Sequence, residues 1–291
     1  MPKIIFPHIA LFCANSIYAI NYIVAKDVMP DYLGASGFIL LRVLGAFLVF
    51  SLVHHFFIKE AIQKKDIVYL IICALFGVVI NMLCFFEGLS ITTPINASLI
   101  MITTPLLVYF ISCFLSKEER SFKRFLGVLL GLLGAGILVS NGDSLQINNL
   151  GDFLVFLNAA SYALYLILIK KMMSKYHPIT VLKTIFLIGL VFIIPIGGSE
   201  LALLSINTLP THIIVKIIFV VLFTTCGAYF LNIYAISHLR ASTVAFYIYL
   251  QPLLATILSI VLGKDILTNI KIIAAILIFI GVYFVIRRQP L

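Results

Sequence analysis

The sequence has few charged residues and no tryptophan. Asp, Glu, Lys and Arg make up 11% of its 291 residues, whereas hydrophobic residues make up 63%. Soluble globular domains carry about 25% charged residues, so this composition excludes that class. Apolar runs of about 20 residues, enough to cross a bilayer as a helix, recur along the chain. The runs are continuous rather than alternating, which excludes a transmembrane β-barrel. We predict an all-α polytopic membrane protein.

The sequence also lacks the motifs on which most enzymes depend. Its five cysteines lie in apolar runs, and neither they nor the histidines have metal-ligand spacing. We therefore predict no metal and no cofactor. No glycine-rich phosphate motif indicates ATP-driven pumping, and no nucleophile with a base or carboxylate pair is apparent. We expect a protein that is not an enzyme. A membrane-embedded lipid-modifying enzyme is the alternative from another class.

Charged residues, turn residues and polar loops divide the chain into ten predicted membrane spans. Their approximate ranges are 5–24, 33–56, 67–88, 95–116, 123–140, 152–170, 179–197, 212–236, 242–262 and 268–287. The connections between them are short. The sequence therefore predicts no sizeable soluble domain.

Basic residues are distributed unevenly between the two sides of this ten-span topology. The N-terminal side holds fourteen of the 20, whereas the opposite connections hold Lys26, Lys264 and Lys271. Because Lys and Arg concentrate in cytoplasmic loops, we predict a cytoplasmic (inner) membrane protein with both termini in the cytoplasm. The same distribution explains the net charge of +9 without a nucleic-acid partner. The expected partners are the lipid bilayer and a small-molecule substrate.

The chain contains an internal repeat. A shift of 147 residues superimposes Pro105 on Pro252 and Gly134 on Gly281, and a shift of 144 superimposes Lys26 on Lys170. The predicted repeats are residues 1–141 and 151–291, with five spans each. An odd number of spans makes the second copy cross the membrane in the opposite sense. Such inverted repeats are typical of secondary transporters, whose substrate binds between the halves.

A proline interrupts the fourth span of each predicted repeat. Pro105 and Pro252 each remove a backbone donor, and a broken helix at membrane depth is tolerated only against protein or water. We predict a helix kink at each proline, with both kinks beside one substrate path. Kinks that serve packing alone are the alternative.

Polar and aromatic side chains follow one face of several spans. At 100° per residue, Asn15, Tyr18 and Asn21 share an arc of the first span, as Asn158 and Tyr162 do in the sixth. Interhelical hydrogen bonds that only stabilise the bundle are the alternative. The predicted substrate path comprises Asn15, Tyr18, Asn21, Arg42, Asn81, Glu87, Asn158, Tyr162, Tyr229, Asn232, Tyr247 and Gln251.

Two members of this path, Arg42 and Glu87, carry a formal charge at neutral pH. A charge buried in the bilayer costs at least about 2.5 kcal/mol unless it is paired or hydrated. Arg42 lies mid-span, where it could neutralise a substrate carboxylate, pair with Glu87 or extend to the cytoplasmic surface. Glu87, near the outer end of the third span, is either an interfacial or a proton-coupling carboxylate.

Gly127 and Gly131 have the GxxxG spacing that permits close helix contact. Two interpretations stay open. The glycines pack against another helix of the same chain, or they form the seam of a homodimer.

The stretches "GLSITTPINASLIMITTPLLVYFISCFLSKEERSF" and "YAISHLRASTVAFYIYLQPLLATILSIVLGKDILT" resemble the drug/metabolite transporter superfamily, specifically permeases with two EamA domains. In that family each half has an alanine-rich start to its fourth span, a proline within it and an acidic residue after it. The matching residues are Ala97, Pro105 and Glu118 in one half and Ala241, Pro252 and Asp265 in the other. Asp265 replaces the more usual glutamate, and Glu87 replaces a small, neutral or basic residue.

The resemblance implies a ten-helix exporter or facilitator. Its cavity would lie among the first four spans of each half, with the fifth and tenth spans peripheral. We expect a secondary transporter of small organic metabolites, with amino-acid-like and drug-like compounds as candidates, that works by alternating access. A lipid or glycan-carrier translocase is the nearest alternative within transport.

Overall fold

Ten helices, and no β-strand, form the part of the chain that the computed structural model describes, which is residues 2–115, 121–140, 149–204, 209–261 and 267–286. Each helix corresponds to one predicted span. The helices are α1 (Pro2–Val28), α2 (Ala35–Phe57), α3 (Lys64–Ile91), α4 (Pro94–Leu115), α5 (Phe122–Ser140), α6 (Asn149–Met173), α7 (Pro178–Ala202), α8 (Thr211–His238), α9 (241–261) and α10 (Asn269–Ile286).

The helices have the length and surface of membrane spans. Within the described ranges, nine are long and apolar enough to cross a bilayer, and α10 is a shorter apolar helix. Large apolar side chains such as Leu52, Phe114 and Val191 are exposed on the outside of the bundle. A surface of this kind is stable against lipid rather than water. The predicted all-α polytopic membrane fold is confirmed.

Helix packing follows the internal repeat. Helix α1 packs against α8 and α9, and its counterpart α6 packs against α3 and α4. Helices α2 and α7 pack against each other, as do α5 and α10, so equivalent helices of the two repeats are paired. Because each repeat has five spans, the second is inverted relative to the first. The structure thus has the predicted architecture of two inverted five-helix repeats.

Helices α1 and α7 extend beyond their predicted ends. Helix α1 continues to Val28, and the ammonium group of Lys26 in its last turn donates to backbone carbonyls at the C-terminal end of α3, including that of Ser90 at 2.7 Å. Helix α7 continues through polar residues to Ala202, where Glu200 accepts a hydrogen bond from the Gly37 backbone N–H at 2.8 Å. Both extensions therefore include charged side chains that bond to a neighbouring helix.

Four helices depart from regular α geometry at equivalent positions of the repeats. Helix α3 contains a π-helical turn at Leu75–Val79, and α8 contains one at Val220–Gly227. Helix α4 is interrupted by a turn at residues 102–103, and α9 contains a 3₁₀ segment at Tyr247–Tyr249. A shift of 147 residues places 75–79 on 222–226, within the second π-helical turn, and places 102–103 on 249–250, at the end of the 3₁₀ segment. The breaks are therefore part of the repeat.

The two prolines follow the breaks in α4 and α9. Pro105 is the second residue of the segment Thr104–Leu115, and Pro252 is the third residue of Leu250–Val261. In the first turn of a helical segment the missing N–H of proline costs least. The acidic residues after these helices, Glu118 and Asp265, lie outside the described residues.

Small residues hold α5 against α10 within the chain. A methyl group added at Gly127 would lie 2.8 Å from the carbonyl oxygen of Gly281, and one added at Gly134 would lie 2.6 Å from that of Ala274. At Gly131 the added carbon would meet the ring of Tyr249 at 2.3 Å. The glycine motif thus serves packing inside one chain. A homodimer stays a prediction.

Candidate functional site

A cavity with an empty volume of about 670 Å³ lies where the two repeats meet. Helices α1 to α4 of the first repeat contribute to its wall, together with α6, α8 and α9 of the second. No described residue of α5, α7 or α10 lines it. The lining residues are Asn15, Tyr18, Asn21, Tyr22, Arg42, Asn81, Met82, Phe85, Phe86, Met101, Asn158, Tyr162, Thr224, Tyr229, Asn232, Val244, Ile248 and Gln251.

The structure brings ten of the twelve predicted path residues together around this cavity. Five come from the first repeat and five from the second. They are Asn15, Tyr18, Asn21, Arg42, Asn81, Asn158, Tyr162, Tyr229, Asn232 and Gln251.

Glu87 and Tyr247 do not line the cavity. On α3 the lining residues include Asn81, Phe85 and Phe86, and Glu87 lies a further 100° around the helix from Phe86. Its carboxylate accepts a hydrogen bond from the Ser36 hydroxyl on α2. The Tyr247 hydroxyl lies 2.7 Å from Nδ1 of His8 on α1. Both side chains therefore connect helices beside the cavity.

Amide and phenol groups of the wall connect α1 to the second repeat. Gln251 donates from Nε2 to Oδ1 of Asn15 at 2.8 Å, and Tyr22 donates to Oε1 of Gln251 at 3.2 Å. Asn232 donates from Nδ2 to the Tyr18 hydroxyl at 3.2 Å. These bonds cross the boundary between α1 and helices α8 and α9. They set the orientation of the polar groups that border the cavity.

Side chains of the second repeat also bond to backbone carbonyls in and just after the π-helical turn of α3. Ser161 donates to the carbonyl oxygen of Phe76 at 2.7 Å, and Tyr229 donates to that of Gly77 at 3.0 Å. Asn158 donates from Nδ2 to the carbonyl oxygen of Asn81 at 2.7 Å. Backbone groups outside regular helix geometry need such partners at membrane depth. The asparagines and tyrosines thus border the cavity and also make interhelical hydrogen bonds.

Arg42 extends into the cavity wall from α2. Its side chain is buried, with 2% of its surface exposed. Nε donates to Oγ1 of Thr225 at 2.9 Å, and the guanidinium carbon lies 4.0 Å from the centre of the Phe86 ring. Among the described residues no carboxylate forms an ion pair with Arg42. Glu87 bonds to Ser36 instead. Of the three sequence interpretations, pairing with Glu87 is wrong.

Eight lining residues are outside the predicted path. Tyr22 belongs to the polar face of α1, and Thr224 lies in the π-helical part of α8. The other six are apolar and have no distinguishing sequence signal, although Phe85 lies one helical turn after Asn81. They are Met82, Phe85, Phe86, Met101, Val244 and Ile248.

Comparison with known proteins identifies the family. Residues 5–140 and 149–287 each match the EamA-like transporter family. The chain belongs to this family. The resemblance seen in its sequence is thereby confirmed, and the EamA-like chain is a multi-pass membrane protein of a transporter family.

Relatives of this EamA-like protein are named as transporters. It is 26% identical over 229 residues to "Uncharacterized transporter YyaM" of Bacillus subtilis (strain 168), which covers 77% of this chain and 75% of the relative. It is 30% identical over 234 residues to an "Uncharacterized transporter" of Methanothermobacter thermautotrophicus, which covers 77% of this chain and 66% of the relative. These similarities extend over both repeats.

A solved structure, titled only "Crystal structure of protein", has the same fold. The TM-score is 0.74 at 16% sequence identity, and the match covers 97% of this chain and 96% of the other. At this identity the similarity concerns the fold alone.

Proposed function

We propose that this EamA-like protein is a secondary transporter, an exporter or facilitator, that carries a small organic metabolite across the cytoplasmic membrane. The main support for this proposal is the polar and aromatic cavity between the inverted repeats, to which seven helices contribute. Amino-acid-like and drug-like compounds are the candidate solutes.

The symmetry of the repeats supports alternating access. Because both repeats have the same plan in opposite orientation, each can adopt the packing of the other, which exchanges the side from which the cavity is open. The irregular turns of α3, α4, α8 and α9 support the same mechanism. They contact the cavity or its wall, and irregular helix geometry is frequent at functional sites.

The distribution of basic residues supports an orientation in which both termini face the cytoplasm. Lys59 lies between α2 and α3, Lys64 and Lys65 are the first residues of α3, and the end of α6 carries Lys170 and Lys171. All of them lie on the side of the N terminus in a ten-helix topology. By the positive-inside rule, both termini are in the cytoplasm.

Transport into proteoliposomes tests the proposal. Purified protein is reconstituted, and uptake or efflux of labelled amino acids, nucleobases, cationic drugs and organic acids such as 3-phenyllactate is measured. A matched pair of variants distinguishes carrier flux from leakage. Ile248→Trp fills the cavity, whereas Ile270→Trp changes an exposed position on α10.

We expect saturable flux of at least one solute that Ile248→Trp lowers at least about tenfold and Ile270→Trp leaves unchanged. Equal flux in both variants contradicts a path through this cavity. Absence of transport, together with lipid modification or lipid movement by the purified protein, refutes the proposal in favour of an enzyme or a lipid translocase.

A further inference from the structure

The charge of the cavity is unbalanced. Among the described residues that line it, Arg42 is the only charged side chain, so the wall carries one formal positive charge. The remaining lining groups are neutral amides, phenols, a threonine and apolar side chains. A buried charge persists at membrane depth when it is paired, hydrated or used for binding.

The protein fixes the position of Arg42 without neutralising it. Thr225 donates its hydroxyl hydrogen to the carbonyl oxygen of Val220 at 2.9 Å, so the Thr225 oxygen is left to accept from Nε of Arg42. The Phe86 ring covers one face of the guanidinium group. Both contacts are with neutral groups. They leave the arginine oriented and charged.

The guanidinium group also has an unused donor. Arginine has five N–H donors, and Nη1 of Arg42 is buried without a hydrogen-bond partner. Guanidinium groups bind carboxylates through two parallel hydrogen bonds. Glu87, the carboxylate that the sequence suggested as a partner of Arg42, lies outside the cavity and is bonded to Ser36. The missing partner is therefore expected from the solute.

Two amide oxygens of the wall are likewise without partners. Oδ1 of Asn21 and Oδ1 of Asn158 are buried and accept no hydrogen bond. Oxygens of this kind bind an O–H or N–H group of a solute. The apolar part of the wall, with Phe85, Met82 and Ile248, suits an aromatic or aliphatic body.

We propose that Arg42 binds the carboxylate of the solute and that the cargo is an organic monoanion with a neutral hydrogen-bond donor and an apolar body. This inference rests on the proposed transport function. A monoanion makes the occupied cavity neutral. A zwitterion or an uncharged solute leaves the positive charge of Arg42 in place, and a cation adds to it.

Three compounds with the same phenylpropane skeleton test the charge preference. 3-Phenyllactate carries a carboxylate and a hydroxyl group, phenylalanine replaces the hydroxyl by an ammonium group, and 3-phenylpropane-1,2-diol replaces the carboxylate by an alcohol. Their binding to the purified full-length protein is measured by titration calorimetry. We expect 3-phenyllactate to bind at least about tenfold more tightly than either of the others, as expected for one charge-assisted hydrogen bond.

Variants of Arg42 assign the preference to this side chain. Arg42→Gln is expected to bind the diol and 3-phenyllactate equally, whereas Arg42→Lys keeps part of the preference for the anion. The matched control is Lys216→Gln, which also removes one positive charge but at a surface pair with Asp27. It is expected to bind like the wild type. If Arg42→Gln fails to fold, the binding of the three compounds to the wild type still tests whether the cavity prefers a monoanion.

The inference is overturned if the wild type binds phenylalanine or the diol as tightly as 3-phenyllactate, or binds none of the three. It is also overturned if Arg42→Gln retains the full preference. Failure of the transport proposal has a different signature. Arg42-dependent binding of 3-phenyllactate without flux in proteoliposomes supports the anion site and contradicts transport.

Discussion

Replacement of Gly134 by alanine tests the close contact between α5 and α10. The new methyl carbon would lie 2.6 Å from the Ala274 carbonyl oxygen and 2.9 Å from Cγ1 of Ile278. Carbon–oxygen contacts normally begin at about 3.3 Å, so α10 must move away by several tenths of an ångström. Overpacking of this kind costs about 1–3 kcal/mol. We expect Gly134→Ala to lower the unfolding temperature by several degrees.

Gly136 provides a control on the same helix. A methyl group there would meet only Cδ1 of Ile102, at an ordinary distance of 3.9 Å. Gly136→Ala is therefore expected to be neutral or slightly stabilising, since alanine is the better helix former. A thiol-reactive fluorescent dye can report unfolding in detergent, because Cys73 and Cys226 are buried in the native protein.

Equal unfolding temperatures of the two alanine variants would show that the α5–α10 contact at Gly134 is not as tight as these distances indicate. Neither residue lines the cavity. A change of solute selectivity in Gly134→Ala would therefore also contradict the structural role assigned to the α5–α10 contact.

Three further substitutions, one of them with a control, follow from side-chain hydrogen bonds. Asn158→Ala removes the bond to the Asn81 carbonyl at 2.7 Å, and we expect the dye assay to show a loss of about 0.6–2 kcal/mol of stability. Lys26→Met leaves three carbonyl oxygens without their ammonium donor and should cost about 1–3 kcal/mol of stability. The control Lys216→Met should cost less than about 1 kcal/mol because Asp27, the partner of Lys216, is at the surface. Equal losses of stability in the two variants would contradict this difference. Glu87→Gln keeps a side-chain oxygen that accepts from Ser36, so flux in proteoliposomes, and any response of that flux to a pH gradient, should be the same as in the wild type. A pH-gradient response that is present in the wild type and lost in Glu87→Gln would identify Glu87 as a proton site.

Much of the fold could be predicted because the sequence marks its helices and its repeat clearly. Apolar runs of membrane length define the helices, and the matched Pro105 and Pro252 reveal the repeat. Ten polar or aromatic cavity residues were predictable because a polar side chain within an apolar span needs a partner or a solute. Position along a regular helix was enough to group them.

The other features of the site depend on how the helices pack against one another, which residue type and spacing along the chain do not reveal. Met101 and Ile248 are indistinguishable by type from lipid-facing residues. Glu87 is ionisable and close in sequence to the cavity residues, yet its helical position directs it to Ser36. Tyr247 lies in a 3₁₀ segment, where regular 100° steps no longer apply, and its hydroxyl contacts His8.

In the proposed mechanism, one cavity between the inverted repeats opens to each side of the membrane in turn. A single cysteine in place of Met101, which lines the cavity beside the break in α4, tests it in a protein whose five native cysteines are replaced. A membrane-impermeant thiol reagent is applied to right-side-out and inside-out vesicles. We predict that the cysteine reacts from both sides and that a transported solute protects it from both. Reaction from only one side, or from neither, would contradict alternating access through this cavity.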